Sequence, residues 1–323
     1  MSKAIRIHAN GGPEVLLWED VATPTPGPGE VLVRHVAIGL NFIDVYFRTG
    51  LYKIPGFPAV IGMEGAGVVE GVGAGVHEIK VGDRVAYGSA LGAYAQRRTL
   101  SADRVVVLPD TIEPEQAAAM MLQGMTAQYL LLRTHRVGTG DVIVVHAAAG
   151  GVGLILCQWA RHLGAHVIGV VSTEAKAELA RAHGADDVLI GTDRLASEVK
   201  RLTQGAMARV VYDGTGRDTF YASLDCLAPR GLMVSYGNST GEVKGVDLSV
   251  LAAKGSLFLT RPTLATHIAS RAELVATAKD LFDVVSSGVV KIRIGQRFAL
   301  ADASEAHRAL EARRTTGSTI LLP

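Results

Sequence analysis

The run Ala147-Ala148-Ala149-Gly150-Gly151-Val152-Gly153 follows an apolar, strand-like segment, Val142-Ile143-Val144-Val145-His146. It leads into Leu154-Ile155-Leu156-Cys157-Gln158-Trp159-Ala160, which has helical spacing. Ala148, Gly150 and Gly153 fall on the three positions of G-x-G-x-x-G, with alanine at the first. A missing side chain at Gly150 lets backbone approach a pyrophosphate, and one at Gly153 lets the helix lie close on the strand. The N–H groups and dipole at the helix start attract phosphate, with Gly151 and Val152 leading the first turn. A tight strand-to-helix turn without ligand has the same composition. The place of this one within a repeated β-α series favours a dinucleotide.

The end of the second strand selects between dinucleotides, because an acidic side chain there grips the ribose 2′-hydroxyl of NAD. Here the segment reads Val170-Val171-Ser172-Thr173-Glu174-Ala175-Lys176. Ser172, with Thr173 beside it, is neutral and can donate to a phosphate oxygen. Lys176, one helical turn on, brings the positive charge a 2′-phosphate needs. The combination predicts NADPH over NADH; the plainer reading makes Lys176 a solvated helix lysine next to Glu174.

These residues need rigid elements to hold them. From Lys3 to about Thr111 the chain reads as short strands and turns, with Pro24-Thr25-Pro26-Gly27-Pro28-Gly29 before Val31-Leu32-Val33 and closely spaced glycines from Gly62 to Gly73. Helical texture begins near Glu113. Beyond it, strands are predicted over 141–146, 166–171, 187–190, 210–213 and 231–236, alternating with helices over 151–163, 174–183, 195–203 and 218–227. Alternation of this kind implies a parallel sheet covered on both faces. After Pro262 the pattern gives a helix over 271–287, a strand over 289–294, a helix over 303–313 and a strand over 319–322. Both cysteines, Cys157 and Cys226, fall in helix-like segments and read as buried thiols.

A length of 323 residues exceeds what one core usually organises. With 48% hydrophobic and 20% charged residues the chain can bury a large core, which argues against disorder. Basic and acidic side chains number 32 and 31, so no global field draws the protein to nucleic acid or an anionic membrane. The first residues lack the apolar core of a secretory signal, and no apolar run approaches the roughly 18 residues of a membrane span. A cytoplasmic location is the expectation.

Several segments together carry a family resemblance: Asn41-Phe42-Ile43-Asp44-Val45-Tyr46, Gly50-Leu51-Tyr52, His146 to Gly153, Arg217-Asp218-Thr219, Ser235-Tyr236-Gly237-Asn238 and Thr260-Arg261-Pro262. Over nearly its whole length the sequence resembles the zeta-crystallin-type quinone oxidoreductases of the medium-chain dehydrogenase superfamily. The resemblance implies an α/β fold in which a Rossmann doubly wound parallel sheet domain, residues 125–262, is inserted into a GroES-like β-rich catalytic domain, residues 1–124 and 263–323. It implies cofactor contacts from Asn41, Thr126, Tyr129, Gly151, Val152, Ser172, Lys176, Tyr236, Gly237, Asn238, Arg261 and Pro262. It also implies an acceptor pocket lined by Tyr46 and Tyr52, and a homodimer for which 255–260 is a candidate edge strand. Asp44 is expected to fix the Asn41 loop. Gly191 and Gly214 depart from the pattern, standing where a tyrosine and a serine are expected.

Zinc-dependent members of that superfamily resemble Gly62-Met63-Glu64-Gly65 but carry histidine in place of Met63 and cysteine in place of Asn41. His8, His35 and His77 stand singly, without ligand spacing, so no metal is expected. Without a Lewis acid the natural reaction is hydride delivery from NADPH to an electron-poor acceptor, a quinone or a conjugated enone. Tyr46 and Tyr52 then either hydrogen-bond the developing oxygen charge or simply wall the pocket. An NADPH-dependent enone or alkenal double-bond reductase is the near alternative. Some relatives are structural or bind RNA, but no basic-aromatic stripe supports that here.

Overall fold

Valine- and isoleucine-rich segments closed by glycine turns form the strands of both units of the chain, and the computed structural model describes residues 1–323. One unit comprises Met1–Met125, Ile268–Ser286 and Ile292–Pro323, and the other Thr126–His267 with Ser287–Lys291.

The first unit is built mainly of antiparallel strands. β1 (Ser2–Ile7) lies between β2 (Leu17–Val21) and β4 (Ala59–Val60). A seven-stranded sheet contains β3 (Glu30–Leu40), β5 (Glu64–Val72), β6 (Arg84–Gly88), β7 (Arg97–Ser101), β8 (Val106–Val107), β15 (Ile294–Ala299) and β16 (Ser318–Leu322). Its path is β15-β16-β3-β5-β6-β8, with β7 also on β3. Two register shifts between β3 and β5 bend this pair and let the sheet curl over a core that includes Val33, Ile38, Val69 and Leu321. Helices α1 (Phe42–Thr49), α2 (Pro114–Ala118), α10 (Arg271–Ser286) and α11 (Ala303–Glu311) complete the unit, together with the start of α3 (Met121–Tyr129).

In the second unit six strands run parallel: β9 (Val142–His146), β10 (His166–Val171), β11 (Asp187–Ile190), β12 (Ala208–Asp213), β13 (Leu227–Ser235) and β14 (Phe258–Thr260). Their order, β11-β10-β9-β12-β13-β14, is 3-2-1-4-5-6 in chain rank, the Rossmann order. Helices α4 (Gly151–His162), α5 (Glu174–Ala182), α6 (Leu195–Leu202), α7 (Phe220–Leu224), α8 (Ser249–Ala253) and α9 (Leu264–His267) fill the crossovers and the end of the unit. No helix is long and apolar enough to cross a membrane.

Four local expectations are corrected. The helix expected over 218–227 is only α7, and Cys226 lies in the turn after it, its thiol donating to the Ala222 carbonyl at 3.1 Å. β13 begins at Leu227, not 231, because a register shift against β12 accommodates Pro229, whose nitrogen has no hydrogen for the ladder. The strand expected over 289–294 is absent, and β15 starts at Ile294. There the Gln158 side chain satisfies the Lys291 backbone instead, accepting from its N–H at 2.9 Å and donating to its carbonyl at 3.2 Å. Finally, α1 is a helix inside a stretch whose composition reads as strands and turns.

Candidate active site

Asn41 sits at the end of β3 as the residue before α1, in extended conformation. Its N–H donates to Asp44 Oδ2 at 2.9 Å, which satisfies a backbone group the helix start leaves bare. Gly50, in the left-handed conformation, ends the helix. Asp44 therefore does fix the Asn41 loop. Tyr94 also donates to Asp44 Oδ2, at 3.0 Å, and its hydroxyl lies 3.0 Å from His307 Nε2. His307 Nδ1 lies 3.0 Å from Arg48 Nη1, and Arg48, 1% exposed, forks onto both oxygens of Glu311 at 2.9 and 2.8 Å. This buried chain ties α1 to α11. Burial pushes Asp44 up to about 7 against the pull of the Asn41 N–H, and burial pushes His307 down to about 3 with the Arg48 charge adding to it.

The Asn41 side chain is equally constrained. Its amide lies 2.7 Å from Glu64 Oε2 and 3.0 Å from the Gln123 amide, and Gln123 in turn lies 2.7 Å from Ser318 Oγ. Leu122 N–H donates to Glu64 Oε1 at 2.7 Å. Glu64 is completely buried, and burial pushes its carboxyl up to about 8. Spacing carried no signal for this set, since Glu64, Gln123 and Ser318 come together only through β5, α3 and β16. Tyr46 and Tyr52 lie beside each other, with ring centroids 5.2 Å apart and planes at 66°, and Phe47 meets Tyr52 edge-on at 5.7 Å. Tyr46 is buried and Tyr52 half-buried.

In the second unit the glycine turn opens α4 directly after β9, where the strand order reverses. Gly150 precedes the helix, and no side chain caps the first turn at Gly151, Val152 and Gly153. A Cβ on Gly150 would meet only the Ala147 carbonyl oxygen, at 3.2 Å, so the turn is open there. At Gly153 a Cβ would fall 2.3 Å from the Ala147 oxygen, so only glycine fits this close approach of helix to strand. Bare N–H groups over an open glycine face suit a pyrophosphate. Ser172 and Thr173 are exposed beyond β10, Thr173 caps α5 by accepting from the Lys176 N–H at 3.4 Å, and Lys176 is half-buried. The donors expected for a 2′-phosphate thus lie within one helical turn of one another.

Asp213, fully buried at the end of β12, organises the next loop. Its Oδ1 accepts from the N–H groups of Thr215 and Gly216 at 2.7 and 3.1 Å. Its Oδ2 accepts from Thr219 and Ser223 at 2.6 and 2.8 Å, and Ser223 reaches His146 Nε2 at 2.9 Å. A His-Ser-Asp set of this kind suggests nucleophilic catalysis, but here every member is buried and Asp213 bonds the serine directly, so it holds the loop. Tyr236 lies on Gly214: a serine Cβ at that position would sit 2.9 Å from the ring, which explains the departure at 214. Gly191 has φ +75° with nothing near a would-be Cβ, so a tyrosine there would adopt a strained backbone. Tyr236 and Asn238 are half-buried and Gly237 buried. Thr126 is buried in α3, and Tyr129 stacks on His267 at 4.4 Å. Arg261 is exposed and Pro262 half-buried just past β14.

The description "Alcohol dehydrogenase GroES-like domain" matches residues 27–139, and "Zinc-binding dehydrogenase" matches residues 151–281. A quinone oxidoreductase of Pseudomonas aeruginosa is 54% identical over 325 residues, covering all of both chains. The crystal structure of Escherichia coli quinone oxidoreductase complexed with NADPH superposes with a TM-score of 0.97 at 48% identity, covering 99% of this chain and all of that one. The chain belongs to the quinone oxidoreductase family. A 2-haloacrylate reductase of Burkholderia is 44% identical over all of this chain and 99% of its own. The family's two-domain plan, a Rossmann sheet domain within a GroES-like domain, accounts for the order of textures along the sequence.

Within the superfamily of these quinone oxidoreductases, zinc is the group the second domain description implies. The residues here do not fit it. Where zinc-dependent relatives resemble this chain but place cysteine and histidine, it has Asn41, an amide engaged by Glu64 and Gln123, and Met63, a thioether. No three His, Cys, Asp or Glu side chains converge as a metal cluster. His35 is buried and engaged, its ring nitrogens 2.6 Å from the Ala95 carbonyl and 2.7 Å from the Tyr87 hydroxyl.

Proposed function

We propose that this protein is an NADPH-dependent quinone reductase that works without zinc. The glycine turn at the strand-order reversal, with Ser172, Thr173 and Lys176 beyond the next strand, carries this reading. Identity of 54% to a quinone oxidoreductase over the whole chain supports the acceptor class. When bound, the reduced nicotinamide supplies the hydride, and the protein supplies position and polarity. Gly150, Gly151 and Val152 offer backbone to the pyrophosphate, and Ser172, Thr173 and Lys176 hold the 2′-phosphate. Thr126, Tyr129, Tyr236, Gly237, Asn238, Arg261 and Pro262 line the rest of the dinucleotide site, and Asn41 meets its nicotinamide end. Tyr46 and Tyr52 wall the acceptor pocket, and a tyrosine hydroxyl there stabilises developing negative charge on the acceptor oxygen. In this reading residues 1–124 and 263–323 form the catalytic domain and 125–262 the dinucleotide-binding domain.

The protein acts in the cytoplasm as a homodimer, with no membrane or nucleic-acid partner. β14 is one of the two edge strands of the six-stranded sheet and presents Phe258, 62% exposed, which supports pairing between two copies. The second reading, reduction of an activated carbon–carbon double bond, is favoured by the 44% identity to a 2-haloacrylate reductase. Oxidation of NADPH and NADH by the chelator-treated protein, against panels of quinones and enones, separates the two. Turnover on quinones with NADPH preferred is expected, and turnover confined to enones would transfer the assignment to the second reading.

A further inference from the structure

Four buried contacts link a carboxyl to a carbonyl through three side chains: Glu64 to Asn41 at 2.7 Å, Asn41 to Gln123 at 3.0 Å, Gln123 to Ser318 at 2.7 Å, and Ser318 to the Ala119 carbonyl oxygen at 2.7 Å. The carbonyl end can only accept. Ser318 has a single proton, and Ala119 requires it, so Ser318 must accept from Gln123. The Gln123 amide then turns its oxygen to Asn41, and Asn41 turns its own oxygen to Glu64. The opposite direction leaves Ser318 between two acceptors, Gln123 Oε1 and Ala119 O, with one proton for two short contacts. Which end of an amide is nitrogen follows from such networks and not from its shape.

We propose that Glu64 is a neutral carboxylic acid that donates its proton to Asn41 Oδ1, and that it is thereby a positioning residue that sets the direction of the Asn41 amide. Its other oxygen, Oε1, is then the carbonyl end, and it accepts from the Leu122 N–H at 2.7 Å. Every buried contact in the chain then has one proton. The surroundings agree. Burial pushes Glu64 up to about 8, and the nearby Asp44 of α1 adds to the rise. The other ionisable side chain facing it is Tyr87 of β6, bonded to His35 of β3 and Arg98 of β7, while α3 offers peptide N–H groups of Met121 and Leu122. Glu64 forms no salt bridge, and its hydrogen-bond partners are an amide and peptide N–H groups. Ionising Glu64 would set a carboxylate against the Asn41 oxygen and turn all three side chains.

The consequence for catalysis rests on the reading that Asn41 meets the nicotinamide, whereas the protonation state does not. Glu64→Gln reproduces the neutral acid, since its amide donates to Asn41 and its carbonyl accepts from Leu122. The test compares thermal midpoints of wild type and E64Q, both free of cofactor and acceptor, between pH 5 and 9. A carboxyl that ionises at its ordinary 4.5 when unfolded, and at about 8 when folded, costs the folded state progressively across that interval. E64Q should therefore gain on wild type as pH rises from 5 to 8, by on the order of a few degrees per pH unit, and then hold level. A midpoint difference that does not change with pH would overturn the proposal. So would failure of E64Q to fold at pH 7, because the variant mimics the protonated form. With NADPH and a quinone, the alkaline fall in kcat/KM of wild type should vanish in E64Q; its persistence beside a pH-dependent midpoint difference would sink only the positioning role.

Discussion

At the scale of single residues, the proposed selectivity for NADPH rests on one charge. Lys176 is half-buried, one helical turn from Ser172, so Lys176→Ala should raise the KM for NADPH about tenfold, the worth of one charge-assisted hydrogen bond, and leave that for NADH nearly unchanged. Equal effects on both cofactors would remove Lys176 as the phosphate anchor. Tyr52→Phe separates two roles of the same ring: a fall in kcat with KM unchanged identifies the hydroxyl as a stabiliser of developing charge, and unaltered kinetics leaves the edge-on ring pair with Tyr46 as a wall. The residues of the glycine turn were legible in the sequence because their order along the chain is their order in space. Glu64, Gln123 and Ser318 were not. They lie far apart in sequence: the pairing of β16 with β3, and of β3 with β5, brings Ser318 and Glu64 to Asn41, and α3 brings Gln123.

At the scale of elements, the approach of α4 to β9 admits a direct test. Gly153→Ala places a methyl group 2.3 Å from the Ala147 oxygen, so the helix start must shift. A loss of about 1–3 kcal/mol in stability is expected, with a weakened NADPH Kd measured by titration; tight binding by the variant would show that the turn has slack. The alternation of strands and helices in this unit was readable because buried parallel strands are continuous apolar runs and the helices between them repeat at 3.6 residues. α1 was hidden by its own composition. Phe42, Ile43, Val45, Tyr46 and Phe47 are residues that favour strands, and packing and the two ends, Asn41 with Asp44 and then Gly50, override that preference. The apolar run at 289–294 misled in the opposite sense: Val290 is buried by packing, while Gln158 takes the hydrogen bonds a neighbouring strand would have supplied.

At the scale of the molecule, buried titratable groups pull stability in two directions. Burial pushes His35 down to about 4 and His307 to about 3, and it lowers His146 as well. Below the ordinary histidine value of 6.5 the unfolded chain takes up protons these rings refuse, so stability falls as pH drops. Burial raises Asp44 to about 7 and Glu64 to about 8, so each keeps a proton the unfolded chain has lost, and stability falls as pH climbs toward those values. Below pH 6.5 the histidines and the carboxyls oppose each other, and above it only the carboxyls act. The thermal midpoint should therefore decline from pH 6.5 to pH 8; a midpoint still climbing between pH 7 and 8 would contradict these assignments. β16 carries a different consequence. It lies between β15 and β3, pairing Thr319 with Leu40, and it brings Ser318 to the chain of amides behind Asn41. During synthesis β3 emerges long before its partner, so the ribosome holds a half-made first unit with a bare strand edge while the second unit, nearly continuous in sequence, is free to fold. The chain of amides behind Asn41 closes only when that late strand brings Ser318, which makes this corner of the candidate site one of the last parts of a newborn molecule to take shape.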